Sequence, residues 1–172
     1  MDKAEGNVYA QVDALVDALD PADCDVTFVP FLYGTNSASR SRAVFDGLDM
    51  SHGKAHLLRA VYEGVAFSHY THLSRLLESR EAPAALRCVG GAARSSVWAQ
   101  MFADVTGLPV RTVEAREPGA LGAAMSAAVA CGHFESYEAA AAQMVVFGRT
   151  FMPDAARHAV YMEKYERYCR LI

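Results

Sequence analysis

The spacing of hydrophobic positions changes several times along this chain, and each change marks a new predicted element. Near the N-terminus apolar residues recur every three or four positions, as on one face of a helix, and Asp20-Pro21 closes that helix. A run of β-branched and aromatic residues at 26–32 then predicts a strand. The helical spacing is carried by Val8, Val12, Leu15, Val16 and Leu19.

The longest helical pattern covers residues 53–79, and we expect Ser51 to cap it. Its apolar stripe would face the core and make this helix the main structural support of the domain. The polar stretch 34–42 before it is too long for a tight turn, which favours a functional loop. The stripe consists of Leu57, Leu58, Val61, Tyr62, Val65, Ala66, Leu73, Leu76 and Leu77.

Beyond Pro83 the pattern alternates between strand and helix. A strand at 86–89, a helix at 95–106 ending at Gly107, and a strand at 110–113 predict a βαβ unit. Short parallel strands joined by helices place the chain in the α/β class, as one domain without repeats or linkers. Further helices are predicted at 119–130, at 136–145 and after a capping Asp154.

Composition narrows the classes of function. The 172 residues are 52% hydrophobic and 21% charged, which suits a globular domain. The net charge of -4, with scattered Lys and Arg, argues against nucleic-acid and membrane partners. Because Cys24, Cys88, Cys131 and Cys169 lack C-x-x-C spacing, we expect reduced, buried thiols. With no signal peptide and no membrane-length apolar run, these features predict a cytoplasmic protein.

A glycine loop between the predicted strand and helix is the main chemical feature. From Val89 to Gln100 the sequence reads V-G-G-A-A-R-S-S-V-W-A-Q. Glycines let the backbone approach a bulky anion, and a helix start adds N–H groups and the positive end of its dipole. The loop therefore predicts a phosphate cradle, for which the glycine- and alanine-rich turn at 117–124 would form the opposite wall. Taken alone, the loop would favour an ordinary strand-to-helix turn, because isolated glycine motifs are weak signals; the flanking motifs favour the cradle.

Four motifs in order make this chain resemble the C-terminal domain of the FGGY family of carbohydrate kinases, over about residues 28–131. The first is the family's second signature; the others are the glycine loop, an A-D-x-x-G-x-P-V element and an A-L-G-A-A element. They comprise Ala43, Phe45, Gly47, Leu48, His56, Leu57, Ala60, Val61, Tyr62 and Glu63; then Gly90, Gly91, Ala92, Ala93, Arg94, Ser95, Trp98 and Gln100; then Ala103, Asp104, Gly107, Pro109 and Val110; then Ala120 to Ala124.

The resemblance implies a ribonuclease-H-like, actin-type ATPase fold in which two domains close on ATP and a sugar. Residues 1–172 would be part of the C-terminal, ATP-binding domain. Gly90, Gly91 and Ala92 would approach the phosphates through their N–H groups, and Ser95 would contact the adenine. Mg²⁺ would enter with ATP. Ala92 in place of a third glycine, and Pro118-Gly119 before A-L-G, depart only slightly from the family pattern.

Several of these residues also have a plainer interpretation. Arg94 would neutralise phosphate, or it is a solvated surface charge. Trp98 suits core packing better than an adenine stack. Glu63, inside the long helix beside Gly64, suggests helix packing or a backbone bond rather than a catalytic base. The pairs His52/His56 and His69/His72 have helical metal-binding spacing but lack a further ligand, so we predict no metal site.

The family resemblance also implies functional residues that lie outside this chain. Its D-x-G-T phosphate loop, its sugar-binding residues and the aspartate that deprotonates the sugar hydroxyl belong to an N-terminal domain with no counterpart here. The first antiparallel strands of the C-terminal domain would also precede Met1. We therefore expect a fragment that contains no catalytic residue, is inactive alone, and self-associates through its incomplete sheet unless another chain completes it.

The expected function is ATP binding within a kinase that phosphorylates a ketopentose. Residues 31–36, F-L-Y-G-T-N, resemble the L-xylulose kinase branch more than the G-E-R form of D-xylulokinases, whereas gluconate, glycerol and ribulose stay open. A non-catalytic nucleotide-binding or regulatory relic of a kinase is the alternative. A dinucleotide-binding oxidoreductase fits poorly, because Ala92 and Ser95 occupy glycine positions of G-x-G-x-x-G.

Overall fold

The computed structural model describes residues 7–34 and 42–172. This part of the chain contains six α-helices and five short strands. In chain order they are α1 (Val8–Asp17), β1 (Thr27–Val29), β2 (Val44–Asp46), α2 (Lys54–Leu77), β3 (Leu86–Cys88), α3 (Ser96–Thr106), β4 (Val110–Val113), α4 (Pro118–Ala130), α5 (Tyr137–Met144), β5 (Phe147–Phe151) and α6 (Ala155–Cys169).

Local capping explains why the predicted helix boundaries after residue 94 agree with the structure. Ser95 caps α3 by accepting from the Trp98 N–H, and Gly107 ends that helix in the left-handed conformation. Ser136 and Asp154 cap α5 and α6 in the same way. The predicted cap of α2 is wrong: Gly53 is the N-cap, and Ser51 instead donates its hydroxyl to Asp49.

The strands form two small sheets rather than one parallel sheet. β3 and β4 are parallel, with Leu86 opposite Val110, so the predicted βαβ unit is confirmed. β5 joins β4 antiparallel, and β1 pairs antiparallel with β2. α4 and α5 pack together as a helical pair, so the second helix brings the chain back to the end of β4 from which it left. The next strand, β5, therefore pairs with β4 in the antiparallel direction. The expected parallel pairing thus holds for β3 and β4, and the antiparallel pairs were not predicted.

The main core lies where α2 crosses β1 and packs against α1, α3 and α6. Gly64 makes this crossing possible, since a Cβ there would lie 2.1 Å from the Phe28 carbonyl oxygen. Phe67, Tyr161 and Tyr168 fill the space on the α6 side. The predicted stripe of α2 is only partly right, because Leu76 near its C-terminus is 58% exposed.

Three charged side chains are buried in this core. Glu63 accepts from Arg59 Nε at 2.8 Å through one carboxylate oxygen and pairs with Lys164 Nζ at 2.5 Å through the other. Arg59 also donates to the carbonyl oxygens of Val16 and Leu19 at the end of α1. Burial raises the pKa of Glu63, and the two cations oppose that shift. The cluster ties α1, α2 and α6 together.

Helix α4 contrasts with this core, because none of its residues is buried although it contains no charged residue. Its main described neighbour is α5. Cys131, which follows α4, and Cys169 are exposed, whereas Cys24 is buried; the expectation that all four thiols are buried is therefore wrong. Within residues 7–34 and 42–172, no helix combines the length and apolarity needed to cross a membrane.

Candidate functional site

The glycine loop connects β3 to α3 through a turn that only glycine adopts easily. Gly90 has a φ of 80°, in the left-handed region where a Cβ is strained. Gly91 returns to ordinary helical angles, and residues 92–94 form one turn of 3₁₀ helix before Ser95. Among the described residues, nothing lies within 4 Å of where a Cβ would stand on Gly90 or Gly91. The backbone of the loop is thus open to a ligand.

A groove of about 600 Å³ adjoins this loop. The loop forms one wall with Gly90, Ala93 and Arg94, and the end of β4 with the segment after it forms the other. Arg94 Nη2 donates to the Arg116 carbonyl oxygen at 3.0 Å, which joins the two walls. The second wall consists of Thr112, Val113, Glu114, Ala115, Arg116 and Arg149.

The opposite wall therefore differs in part from the sequence expectation. Residues 112–116 line the groove, whereas the expected turn at 117–124 is not among its lining residues and belongs mostly to α4. Pro118 stands at the first turn of that helix, where its fixed φ suits helix initiation. The motif at 120–124 thus begins shortly after Arg116 in sequence and is not among the lining residues.

Charge at the groove comes from residues on both walls. Arg94 is exposed, and its guanidinium also bonds backbone, so it is neither a purely solvated charge nor a buried phosphate ligand. Arg116, and Arg149 of β5, add two further cations to the lining, and Glu114 adds an anion. Sequence reasoning missed Arg149, because its only signal is membership of a strand that it did not predict.

Ser95 occupies the start of α3 and is already engaged. Its Oγ accepts from the Trp98 N–H at 3.0 Å and donates to Asp13 Oδ1 at 2.8 Å. The Tyr62 hydroxyl donates to the same Asp13 oxygen at 2.9 Å. The α3 N-terminus is therefore capped from within the protein, so the loop at 90–94 is the part of the expected cradle that stays open. No sequence motif pointed to Asp13.

Trp98 packs at the edge of the main hydrophobic core, as predicted. Its ring stacks on Tyr62 with centroids 4.4 Å apart, and its Nε1 donates to the Tyr62 carbonyl oxygen at 3.3 Å. Phe102 continues the stack on the same face of α3. These contacts attach the first turn of α3 to α2, the helix that contains the signature residues from His56 to Glu63.

The remaining motif residues hold the scaffold. Asp104 is buried and its Oδ1 accepts from Gln100 Nε2 at 2.7 Å and from the Asp154 N–H at 2.9 Å, which anchors the start of α6. Glu63 lies in the buried ion cluster, which agrees with helix packing and replaces the expected backbone bond. Gln100 reaches across to the Met152 carbonyl oxygen at 2.8 Å.

The histidine pairs form no metal cluster in the described part of the chain, where no three or more His, Cys, Asp or Glu side chains are suitably grouped. His52 Nε2 instead lies 2.7 Å from Asp25 Oδ1, joining the turn before α2 to the segment before β1. Within the polar loop, Thr35 and Asn36 of the segment thought to indicate the sugar lie outside the described residues.

Comparison with known proteins decides the family. A family model described as the C-terminal domain of the FGGY family of carbohydrate kinases matches residues 2–131. The chain belongs to this family. L-xylulose/3-keto-L-gulonate kinase of Escherichia coli (strain K12) is 41% identical over 164 residues, which are 95% of this chain and 33% of that protein. Xylulose kinase of Bacillus subtilis (strain 168) is 31% identical over 168 residues, 96% of this chain and 34% of that protein.

Solved structures agree with the FGGY assignment. Xylulose kinase from Rhodospirillum rubrum superimposes with a TM-score of 0.83 at 30% identity, over 98% of this chain and 34% of that one. Glycerol kinase from Plasmodium falciparum, solved with ADP, has a TM-score of 0.77 over 95% of this chain and 34% of its own; at 20% identity it supports the fold alone. The actin-type kinase fold predicted from the motifs is confirmed. The chain spans about a third of the length of the curated relatives it matches.

Proposed function

We propose that this chain is the ATP-binding part of a carbohydrate kinase that transfers the ATP γ-phosphoryl group to a hydroxyl of a ketopentose such as L-xylulose. The observation that carries the proposal is the open groove between the Gly90 loop and residues 112–116, located on a family motif. Relatives named as L-xylulose kinases, at 37–41% identity, support the sugar class.

The residues of the loop suit the triphosphate. N–H groups of Gly90, Gly91 and Ala92 would approach phosphate oxygens where no side chain intervenes. Arg94 and Arg149 would balance phosphate charge from the two walls. Mg²⁺ would arrive with ATP and neutralise charge on its phosphates. Phosphoryl transfer depends mainly on positioning and charge stabilisation, which are what a backbone cradle supplies.

The proposed reaction needs residues beyond this chain. An aspartate of an N-terminal kinase domain would remove the proton from the sugar hydroxyl, and this chain alone would bind ATP without turnover. That same polypeptide would cover the uncharged surface of α4. We place the assembled enzyme in the cytoplasm.

Nucleotide titration tests the site directly. Gly91 has ordinary helical angles and open space around it, so Gly91→Leu fills the cradle without straining the backbone. Calorimetry with MgATP should show binding by the original chain and at least ~10-fold weaker binding by Gly91→Leu, since one lost contact of ~1.4 kcal/mol suffices for that factor. Gly53→Leu, an equally open position at the N-cap of α2 rather than in the glycine loop, is the matched control and should bind normally.

A coupled assay of ADP formation then distinguishes part of an active kinase from a non-catalytic relic of one. The chain is mixed or fused with the N-terminal two thirds of an L-xylulose kinase and supplied with MgATP and L-xylulose, D-xylulose, ribulose, gluconate or glycerol. ADP formation that depends on L-xylulose supports the proposal. Nucleotide binding without turnover on any sugar would favour the non-catalytic relic instead.

A further inference from the structure

A second cavity, of about 380 Å³, lies between the end of α1, one face of α3, strand β5 and α6. Its inner wall includes Arg59, Asp104 and Tyr161, and we refer to it as the α1–α6 cavity. The volume falls in the range of roughly 300–1,000 Å³ that is typical of small-ligand sites. Arg149 lines both this cavity and the groove beside the glycine loop.

Tyr161 places an unpaired hydrogen donor at the inner wall. Its side chain is buried, and its hydroxyl accepts from Arg59 Nη2 at 2.7 Å. Tyr161 therefore keeps its own hydrogen for another partner, and no side chain or backbone group in residues 7–34 and 42–172 accepts it. Burial raises the pKa of Tyr161, so the hydroxyl stays protonated. Because a buried donor without an acceptor is costly, we expect its partner to occupy the cavity.

Two further buried groups present unused hydrogen-bonding capacity to the same cavity. Four of the five N–H groups of Arg59 are bonded to acceptors within the protein, which leaves one on Nη2. Asp104 Oδ1 already accepts two hydrogen bonds, whereas Asp104 Oδ2 lies 3.8 Å from Arg157 Nη1, beyond hydrogen-bond distance. The inner wall thus combines two donors with an acceptor.

The charges around this cavity do not favour an ion. Three arginines and three aspartates line it. Behind Arg59, Lys164 and Glu63 add one charge of each sign. The formal charges therefore cancel, and the surroundings as a whole attract neither an anion nor a cation. The charged lining residues are Arg59, Arg149, Arg157, Asp17, Asp20 and Asp104.

We propose that the α1–α6 cavity binds a small neutral polyol, a ligand of monosaccharide size that carries several hydroxyl groups. Each hydroxyl both donates and accepts, so neighbouring hydroxyls can accept from Tyr161 and Arg59 and donate to Asp104. An anion would accept from Tyr161 but would face the Asp104 carboxylate, and a cationic amine would offer Tyr161 no acceptor. The inference does not depend on the proposed nucleotide site.

The test compares ligands that differ in hydroxyl number or in charge. The chain is titrated by ligand-detected NMR, without nucleotide, with xylitol, with 1,5-pentanediol, which has the same carbon chain but only the terminal hydroxyls, and with inorganic phosphate. We expect xylitol to bind with a dissociation constant on the order of 1 mM, a modest affinity for a ligand of this size. 1,5-Pentanediol should bind at least ~10-fold more weakly, because several hydrogen bonds are lost.

Tyr161→Phe removes the unpaired donor while keeping the ring. It should weaken xylitol binding by about 3- to 10-fold, the size of one net hydrogen bond. Tyr168→Phe is the matched control, because Tyr168 lies on the same helix and is fully buried but does not line the cavity. It should leave xylitol binding unchanged.

Ala18→Leu tests the space of the cavity rather than the hydrogen bond. Ala18 lines the cavity at the end of α1 and is exposed, so a larger side chain can narrow the site without disturbing the buried groups. Xylitol should bind at least ~5-fold more weakly. Ala22→Leu, exposed but outside the lining, is the control and should bind normally. Since Tyr161 and Arg59 stay in place, this variant decides the matter even if Tyr161→Phe loses stability.

Xylitol binding that falls in both variants and in neither control supports the proposal. Failure of the original chain to bind xylitol would assign the cavity to water alone and overturn it, as would equal binding of xylitol and 1,5-pentanediol. Xylitol binding that both variants keep would lie elsewhere on the chain and also overturn it. Phosphate that binds more tightly than xylitol and is lost in the same variants would make the ligand an anion, against the proposal.

Discussion

Gly64 lies where helix α2 passes directly over strand β1. A Cβ at this position would stand 2.1 Å from the Phe28 carbonyl oxygen and 3.2 Å from its ring. The oxygen belongs to the backbone of a strand and cannot rotate away. The size of one residue therefore determines how closely the two elements approach.

Gly64→Ala should destabilise the fold by about 3 kcal/mol, the upper range of overpacking, because β1 must shift to admit one methyl group. Urea unfolding followed by circular dichroism measures the change. Gly122→Ala in α4 is the control; there a Cβ meets open space, and the better helix propensity of alanine should stabilise by up to ~1 kcal/mol. Equal effects in both variants would contradict the close-packing argument.

Glu63 contacts two buried cations, Arg59 and Lys164, through its two carboxylate oxygens. Glu63→Gln should cost about 3 kcal/mol, because both cations then stay buried without a counter-charge. The urea midpoint reports the loss. Glu163→Gln on the exposed side of α6 should change it by less than ~0.5 kcal/mol, and a comparable midpoint for both variants would exclude a structural role for the cluster.

At the scale of elements, Asp104 connects α3 to the turn that begins α6. Its Oδ1 accepts from the Gln100 side chain and from the Asp154 N–H. Asp104→Leu should cost about 2–3 kcal/mol by leaving these part-buried donors unpaired, whereas Asp104→Asn keeps an acceptor and should cost about 1 kcal/mol. Thermal melts of both variants provide the comparison. Equal losses would show that packing volume, rather than hydrogen bonding, holds this junction.

Helix boundaries followed closely from sequence wherever a cap decided them. Ser95, Gly107 and Asp154 act through their immediate neighbours, so the residues that define these ends are adjacent in sequence. Strand β5 was missed for the opposite reason. Its direction depends on α4 and α5 packing as a pair and returning the chain to β4, which no local pattern encodes.

At the scale of the whole molecule, two surfaces of the described residues are open to solvent. α4 is uncharged and unburied, and β3 is an edge strand of its three-stranded sheet. Exposed apolar helices and open strand edges pair readily with other chains. We therefore expect both surfaces to favour association.

We predict that the isolated chain self-associates as its concentration rises, in sedimentation velocity at roughly 1–100 μM, the range in which exposed edges and apolar surfaces drive association. Ala123→Lys, at an exposed position of α4, should shift the distribution toward monomer, whereas Ala22→Lys, exposed outside that helix, should not. A stable monomer with one cooperative melt would contradict the prediction.

The family, the glycine loop between β3 and α3 and most helices of this FGGY chain could be derived from sequence alone, since periodicity, capping and the spacing of the four motifs are properties of neighbouring residues. Only the tertiary structure decided the wall facing that loop, the burial of Arg59, Glu63 and Lys164, and the link from Asp13 to Ser95 across 82 residues. The physical reason is that these features depend on how helices pack. A buried charge or a hydrogen-bond donor is stable only when another helix or strand supplies its partner. The local sequence pattern does not show which element that will be.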